Sequence, residues 1–167
     1  MTITNTEKKN NSETEKNTTH KLSNQETMQI IGFKLGGEEF GVDIFSVKEI
    51  IRMSLMTRVP NAPKFVVGVV NMRGKVVPII DLCLRFGLPL TGISNEDRKI
   101  IVIEFENKTV GFLVDSVKEV TNISKSSAEP PPPMVSGIDS DYITAIAKLD
   151  DKLLILLEVS KILVLSS

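Results

Sequence analysis

The residues best suited by type to do chemistry are three aspartates, one cysteine and one histidine. Asp43, Asp81 and Asp115 could converge as a carboxylate or magnesium site, which is the requirement of a hydrolase or phosphatase. Asp43 and Asp115, however, stand at the ends of predicted strands, and Asp81 precedes a predicted helical turn. A carboxylate in such places caps a helix or closes a turn. A metal titration or a phosphatase assay separates the two readings. Cys83 sits in the apolar run Ile79–Leu84, where a thiol is buried and inert. It is the only cysteine, so no intrachain disulfide forms. His20 is the only histidine and falls in a polar N-terminal tail. The folded part thus lacks a Ser-His-Asp set, and one Cys plus one His are too few for zinc. No Gly-rich loop precedes a Lys-Ser/Thr pair; Gly32–Gly37 belongs to a hairpin. No catalytic residue, metal site or cofactor is expected.

Docking chemistry has better candidates. Within Pro60–Phe86, the turn Asn71-Met72-Arg73-Gly74 puts a guanidinium at a hairpin tip or barrel rim. Gly68, inside an apolar strand, marks a bulge or a close backbone approach. Pro78 cannot donate to a ladder and implies an edge strand. An edge beside an Arg, flanked by Val and Ile, suits a partner protein. Arg73 could equally pair with an acid such as Glu49 and hold the barrel together. Composition does not decide between the two.

The elements that must position these residues are short strands. Residues 1–27 are polar, hold balanced charges and cannot bury enough apolar surface to order. From Met28 the texture changes. Met28–Leu35 and Glu39–Ile44 form a hairpin across Gly36-Gly37. Val47–Met53 continues as an extended or short helical piece. Phe65–Asn71 and Lys75–Asp81 pair across Arg73-Gly74. Leu82–Phe86 is a helical turn closed by Gly87 and Pro89. Thr91–Arg98 is a polar connection. Lys99–Phe105 and Val110–Val114 form another hairpin, Ser124–Pro133 is a loop ending in four prolines, and Ile143–Leu149 pairs with Lys152–Glu158. Val159–Leu165 reads as a short helix.

The chain repeats itself. Ile30–Ile50 aligns on Ile100–Val120 at an offset of 70, and Ser46-Val47-Lys48-Glu49 falls on Ser116-Val117-Lys118-Glu119. Asn71–Phe86 aligns on Lys148–Leu163 at an offset of 77, with Asp81 on Glu158. Two order-preserving alignments predict a duplicated small β-barrel related by a pseudo-twofold axis. Neither half is large enough to stand comfortably alone, so a shared core is expected.

Composition closes off other classes. Lys and Arg number 20 against 21 Asp and Glu, a net charge of −1, which leaves no basic face for nucleic acid. No stretch approaches the ~20 apolar residues of a membrane span, and the N-terminus lacks the apolar core of a signal peptide. A cytoplasmic protein is the expectation.

Residues Met28–Leu165 resemble the CheW-like domain. The matches are Glu39-Phe40-Gly41-Val42-Asp43-Ile44, Val47-Lys48-Glu49-Ile50-Ile51, Val59-Pro60-Asn61-Ala62-Pro63 and the run from Gly68 to Leu82. Val114-Asp115-Ser116-Val117 and Leu153–Glu158 match its second half. The resemblance implies a mainly β fold: two intertwined five-stranded SH3-like barrels with short helices. Residues 1–27 would be a disordered tail and 28–167 the domain. Its barrels would span roughly 30–87 and 98–165, with strand exchange allowed for. It further implies a non-enzymatic scaffold that couples the cytoplasmic signalling tip of a chemoreceptor to the regulatory domain of the histidine kinase CheA. Such a protein is recruited to receptor arrays at the inner face of the membrane, without inserting into it or binding nucleic acid. In that family the positions of Val47, Glu49, Gly68 and Arg73 are implicated in partner binding or its geometry; Asn71 and Gly74 share the Arg73 turn. A coupling protein of a non-flagellar motility system has the same pattern. So does a kinase regulatory domain, although the polar tail from Met1 favours a free-standing chain. Met72 replaces the usual Leu of the family turn. The long tail and Pro130–Pro133 also depart from the pattern.

Overall fold

The computed structural model describes residues 26–90 and 92–164. The expected tail therefore lies almost wholly outside the described residues. Its last members do not. Thr27 begins the first strand, and Glu26 accepts a hydrogen bond from the Lys125 N–H at 3.0 Å.

Among the described residues there are thirteen strands and two short α-helices, labelled in chain order. They are β1 (Thr27–Leu35), β2 (Glu38–Asp43), β3 (Val47–Arg52), β4 (Val66–Met72), β5 (Lys75–Asp81), α1 (Leu82–Phe86), β6 (Lys99–Phe105) and β7 (Lys108–Val114). Then come β8 (Ser116–Ser124), β9 (Ala128–Glu129), β10 (Met134–Val135), β11 (Ile138–Asp139), β12 (Ile143–Leu149), β13 (Lys152–Leu157) and α2 (Val159–Ile162). The Val47–Met53 segment is strand, and the region read as a loop from Ser124 contributes β9, which pairs with β12.

One large sheet runs β3-β6-β7-β5-β4 and a second β8-β1-β2-β13-β12-β9, while β10 and β11 pair as a separate two-stranded sheet. At the two sequence offsets, β3 corresponds to β8, β6 to β1, β7 to β2, β5 to β13 and β4 to β12. The two orders are then the same over five strands, with β9 added at the end of the second. The register agrees residue by residue. Gly111 pairs with Ile79 in the parallel β5·β7 contact, and Gly41 pairs with Leu156 in β13·β2. Even the irregularities repeat: a bulge between Val66 and Gly68 has its counterpart between Ile143 and Ala145. The pseudo-twofold relation predicted from the sequence is present in strand order, register and bulges.

The halves of the sequence are nonetheless not the barrels. Each half gives its first hairpin to the other barrel. Residues 47–114 supply every strand of one barrel without interruption, and the two ends of the chain build the other. The expected bounds of roughly 30–87 and 98–165, with strand exchange allowed for, describe the repeat; the exchanged hairpins redraw the barrels themselves. A hydrophobic pattern specifies which face of a strand is buried, but not which hairpin it meets.

Apolar side chains fall into three clusters. Val70, Val77, Ile79, Ile100, Val102 and Leu113 fill the contiguous barrel. Ile30, Ile123, Ala147, Leu154 and Leu156 fill the other. The largest cluster, including Phe33, Phe40, Ile80, Leu82, Ile101 and Phe112, lies between the barrels. Phe33, Phe40, Phe86 and Tyr142 continue it as a chain of rings 5.5–6.2 Å apart. The shared core expected from the small halves is this seam.

Two sequence expectations meet their physical limits here. Asp81 caps α1, accepting the Cys83 N–H at 3.0 Å, and Gly87 ends it with φ 69°. Pro78, however, is on an interior strand, since β5 lies between β7 and β4. It is tolerated because pairing with β7 begins one residue later, at Ile79. The first half of β5 is thus open on that side, and Val76 there is 63% exposed.

Candidate docking site

The β4–β5 turn is held from within. The Asn71 Oδ1 accepts the Gly74 N–H at 3.0 Å. Arg73 and Gly74 take φ 54° and 81°, the signs of a type I′ turn. Gly adopts such angles freely, whereas an arginine there costs on the order of 1–3 kcal/mol. An Arg placed against its own backbone preference, with its side chain 81% exposed, is unusual in a turn that Asn-Gly would close more easily.

The Arg73 Nη2 reaches the Glu49 Oε2 of β3 at 3.7 Å, and Glu49 is only 28% exposed. The pairing anticipated from the sequence is present. At this exposure it is worth at most ~1 kcal/mol, and most of the guanidinium surface stays open to a partner. Lys48, Glu49, Met72, Arg73, Lys75, Val77, Val102 and Thr109 together line a cleft of about 140 Å³. Lys75 Nζ donates to Thr109 Oγ1 at 2.8 Å across it. The floor residues Met72, Val77 and Val102 belong to the contiguous barrel's own core. The pair therefore sits over one barrel and away from the seam.

The six candidate residues divide by position. Glu49 and Arg73 form the cleft rim; Asn71 and Gly74 shape the turn that presents Arg73. Val47 lies outside, half-buried against the seam. Gly68 is buried, and a Cβ there would stand 2.9 Å from Met56 Cβ and 2.9 Å from the Thr57 carbonyl oxygen. Its bareness lets Thr57 pair with Val69 on the edge of β4, by bonds of 2.8 and 3.0 Å. Sequence reading missed Lys48, Lys75 and Thr109. They come from three different strands, and only their alternation with buried neighbours hinted at a common face.

The three aspartates do not converge. Asp43 accepts the Phe45 N–H at 3.0 Å at an exposed strand end. Asp81 and Asp115 are buried and share Arg98, whose guanidinium nitrogens lie 3.4 and 3.6 Å from them. Asp115 Oδ2 also accepts the Gly36 N–H at 3.0 Å, tying the β1–β2 turn of one barrel to the other. Buried charges persist only when paired in this way. The arrangement is a clasp; an Arg between the acids is the opposite of what a cation site needs. Arg98 ends the polar connection Thr91–Arg98, and nothing in its local sequence marks it for this role. Burial raises the Cys83 thiol to about 11, with Asp115 and Asp81 adding to the rise, so it is protonated and unreactive at neutral pH.

Comparison with known proteins agrees with this architecture. Residues 29–166 match the model of the CheW-like domain. The chemotaxis protein CheW of Klebsiella aerogenes is 38% identical over 132 residues, covering 78% of each chain. That of Helicobacter pylori is 37% identical over 141 residues, covering 84% of each. The crystal structure of the scaffolding protein TtCheW from Thermoanaerobacter tengcongensis superposes with a TM-score of 0.74 at 41% identity, covering 80% of this chain and 85% of that one.

Proposed function

The chain belongs to the CheW-like family, and from that footing we propose that it is a scaffold coupling the cytoplasmic tip of chemoreceptors to the regulatory domain of the kinase CheA. It catalyses nothing itself and works in the cytoplasm, at receptor arrays under the membrane. The observation that carries the reading is Arg73: a cation held in a strained turn, paired with Glu49 yet largely exposed, above an open strand edge bearing Val76. Strain kept at an exposed polar residue fits a binding role better than a stabilising one. The receptor-facing surface is this cleft. The kinase-facing surface lies on the other barrel. With one Tyr and no Trp to act as anchors, pairwise affinities are modest and array assembly supplies avidity.

The test is a pull-down against a receptor cytoplasmic fragment and a CheA regulatory domain, separately and together. Wild type retains both at once. Arg73→Glu remains folded, loses receptor binding by about tenfold or more, and keeps kinase binding. A folded Arg73→Glu protein that loses both partners together refutes separate surfaces.

A further inference from the structure

A larger cleft shares no residue with the one under Arg73. The connection from Arg58 to Lys64, the start of β4 and Leu84 of α1 enclose about 770 Å³. That lies within the roughly 300–1,000 Å³ of ordinary ligand sites. The connection is stiff. Pro60 and Pro63 fix their own φ, Asn61 turns at φ 63°, and the Val66 N–H donates to the Pro63 carbonyl at 2.9 Å. A wall that is ordered beforehand costs little to order on binding. The equivalent connection of the second half, from Glu129 to Ser140, is longer than that from Thr57 to Pro63. Its extra length closes on itself as the β10–β11 hairpin and buries Ile138. The shorter connection leaves the cleft open.

The cleft carries one sign of charge. Its ionisable side chains are Arg58 and Lys64, both exposed, and neither forms a salt bridge among the described residues. The cleft under Arg73, by contrast, mixes its cations with Glu49. The whole chain is balanced at 20 cations to 21 acids, yet from Ile50 to Ile80 it holds Arg52, Arg58, Lys64, Arg73 and Lys75 and no acid. In the same cleft Val59 and Leu84 are 42% and 44% exposed. Unpaired cations beside open apolar side chains suit a ligand that brings both carboxylates and apolar groups. Pro60 and Pro63 offer no N–H, so side chains and not strand pairing select the ligand. A membrane surface is flat and does not fill a concavity, whereas an extended peptide does.

We propose that the Arg58–Lys64 cleft docks an extended acidic segment of a partner protein. Its carboxylates meet Arg58 and Lys64, and its apolar side chains meet Val59 and Leu84. The site is separate from the receptor-facing and kinase-facing surfaces, so neither reading depends on the other. Binding is weak and salt-dependent, because both cations are exposed. It lets the scaffold hold a third protein while both coupling faces are engaged.

Fluorescence anisotropy of the full chain tests this with a labelled decapeptide built from Glu, Leu and Ser. Wild type binds it with a dissociation constant on the order of 100 μM at ~50 mM salt, and at least about tenfold more weakly at ~500 mM. The same peptide with Lys in place of Glu does not bind. R58E/K64E loses the acidic peptide by about tenfold or more and gains the basic one, yet captures receptor fragment and kinase domain as wild type does. Leu84→Ser weakens the acidic peptide by about threefold or more with the charges intact. Should R58E/K64E fail to fold by circular dichroism, R58Q/K64Q serves, again with the acidic peptide weakened by about tenfold. No binding by wild type at roughly millimolar peptide overturns the proposal. So does equal binding of both peptides, or unchanged binding of the acidic peptide by a folded charge variant. Loss of receptor or kinase capture in folded R58E/K64E assigns the cleft to those surfaces and overturns the separate site. Capture by phosphatidylglycerol vesicles in place of peptide, lost in R58E/K64E, assigns it to a lipid surface instead and likewise overturns the proposal.

Discussion

At the residue scale, Arg73 sets backbone comfort against the receptor contact proposed for it. Asn at that position would suit φ 54° far better and complete an Asn-Gly type I′ turn. Arg73→Asn is expected to raise stability by about 0.5–1 kcal/mol in urea titration while weakening receptor capture. Lower stability with intact capture would reverse the assignment. Cys83 makes a second, pH-resolved case. Burial first, then Asp115 and Asp81, lift its thiol from 9.0 to about 11. A folded value above the unfolded one favours the protonated thiol in the fold. That contribution is whole below pH 9.0 and is lost as pH climbs towards 11. Urea titrations across this window should show stability falling, and Cys83→Ala should remove part of the fall. A decline identical in both proteins would place its cause elsewhere. The capping roles of Asp43 and Asp81 were legible, because a carboxylate before a helical turn acts locally. The role of Asp115 was not: it accepts from the distant Gly36 N–H and shares Arg98 with Asp81, and such buried contacts are made by residues far apart in sequence.

At the scale of elements, hairpins and helices were readable almost to the residue where turn chemistry is local. Leu82–Phe86 has an Asp before it and a Gly after it, and Gly36-Gly37 and Arg73-Gly74 sit between alternating runs. Strand β9 was hidden because two residues beside four prolines carry no period. Pro78 misled because the rule against interior prolines applies bond by bond, and β7 reaches only the second half of β5. Gly68 tests the element it supports. Gly68→Ala would drive a methyl against Met56 and the Thr57 carbonyl, each 2.9 Å away. A loss of about 1–3 kcal/mol is expected, together with faster hydrogen exchange at the Thr57 and Val69 amides. Unchanged exchange at both would mean that the Thr57–Val69 bridge does not depend on the glycine.

At the scale of the whole molecule, the duplication was visible in sequence because two offsets align most of both halves. Strand exchange was allowed for by resemblance, but its pattern was not fixed by the residues, because equivalent hairpins carry equivalent patterns and either partner would satisfy them. The exchange makes the two barrels one cooperative unit. Phe40 and Ile155 on one side, and Ile80, Ile101 and Phe112 on the other, are buried only while both barrels stand. Heat or denaturant should therefore unfold the chain in a single transition, and the Phe40 and Ile101 amides should show equal protection. Two separated transitions would mean that the seam contributes little.

Because residues 47–114 form one barrel without interruption, the two barrels also become complete at different moments of synthesis. The Arg73-bearing barrel has all its strands once Val114 has left the ribosome. The hairpin made first, β1–β2, must wait for β13, which ends at Leu157. At about 5–20 residues per second, that is an interval of about 6–23 s in which an early hairpin has no parallel partner. The apolar faces of Phe33, Leu35 and Phe40 are open throughout it. The nascent chain is thus most exposed to aggregation at its beginning, and the last strands to emerge relieve that exposure.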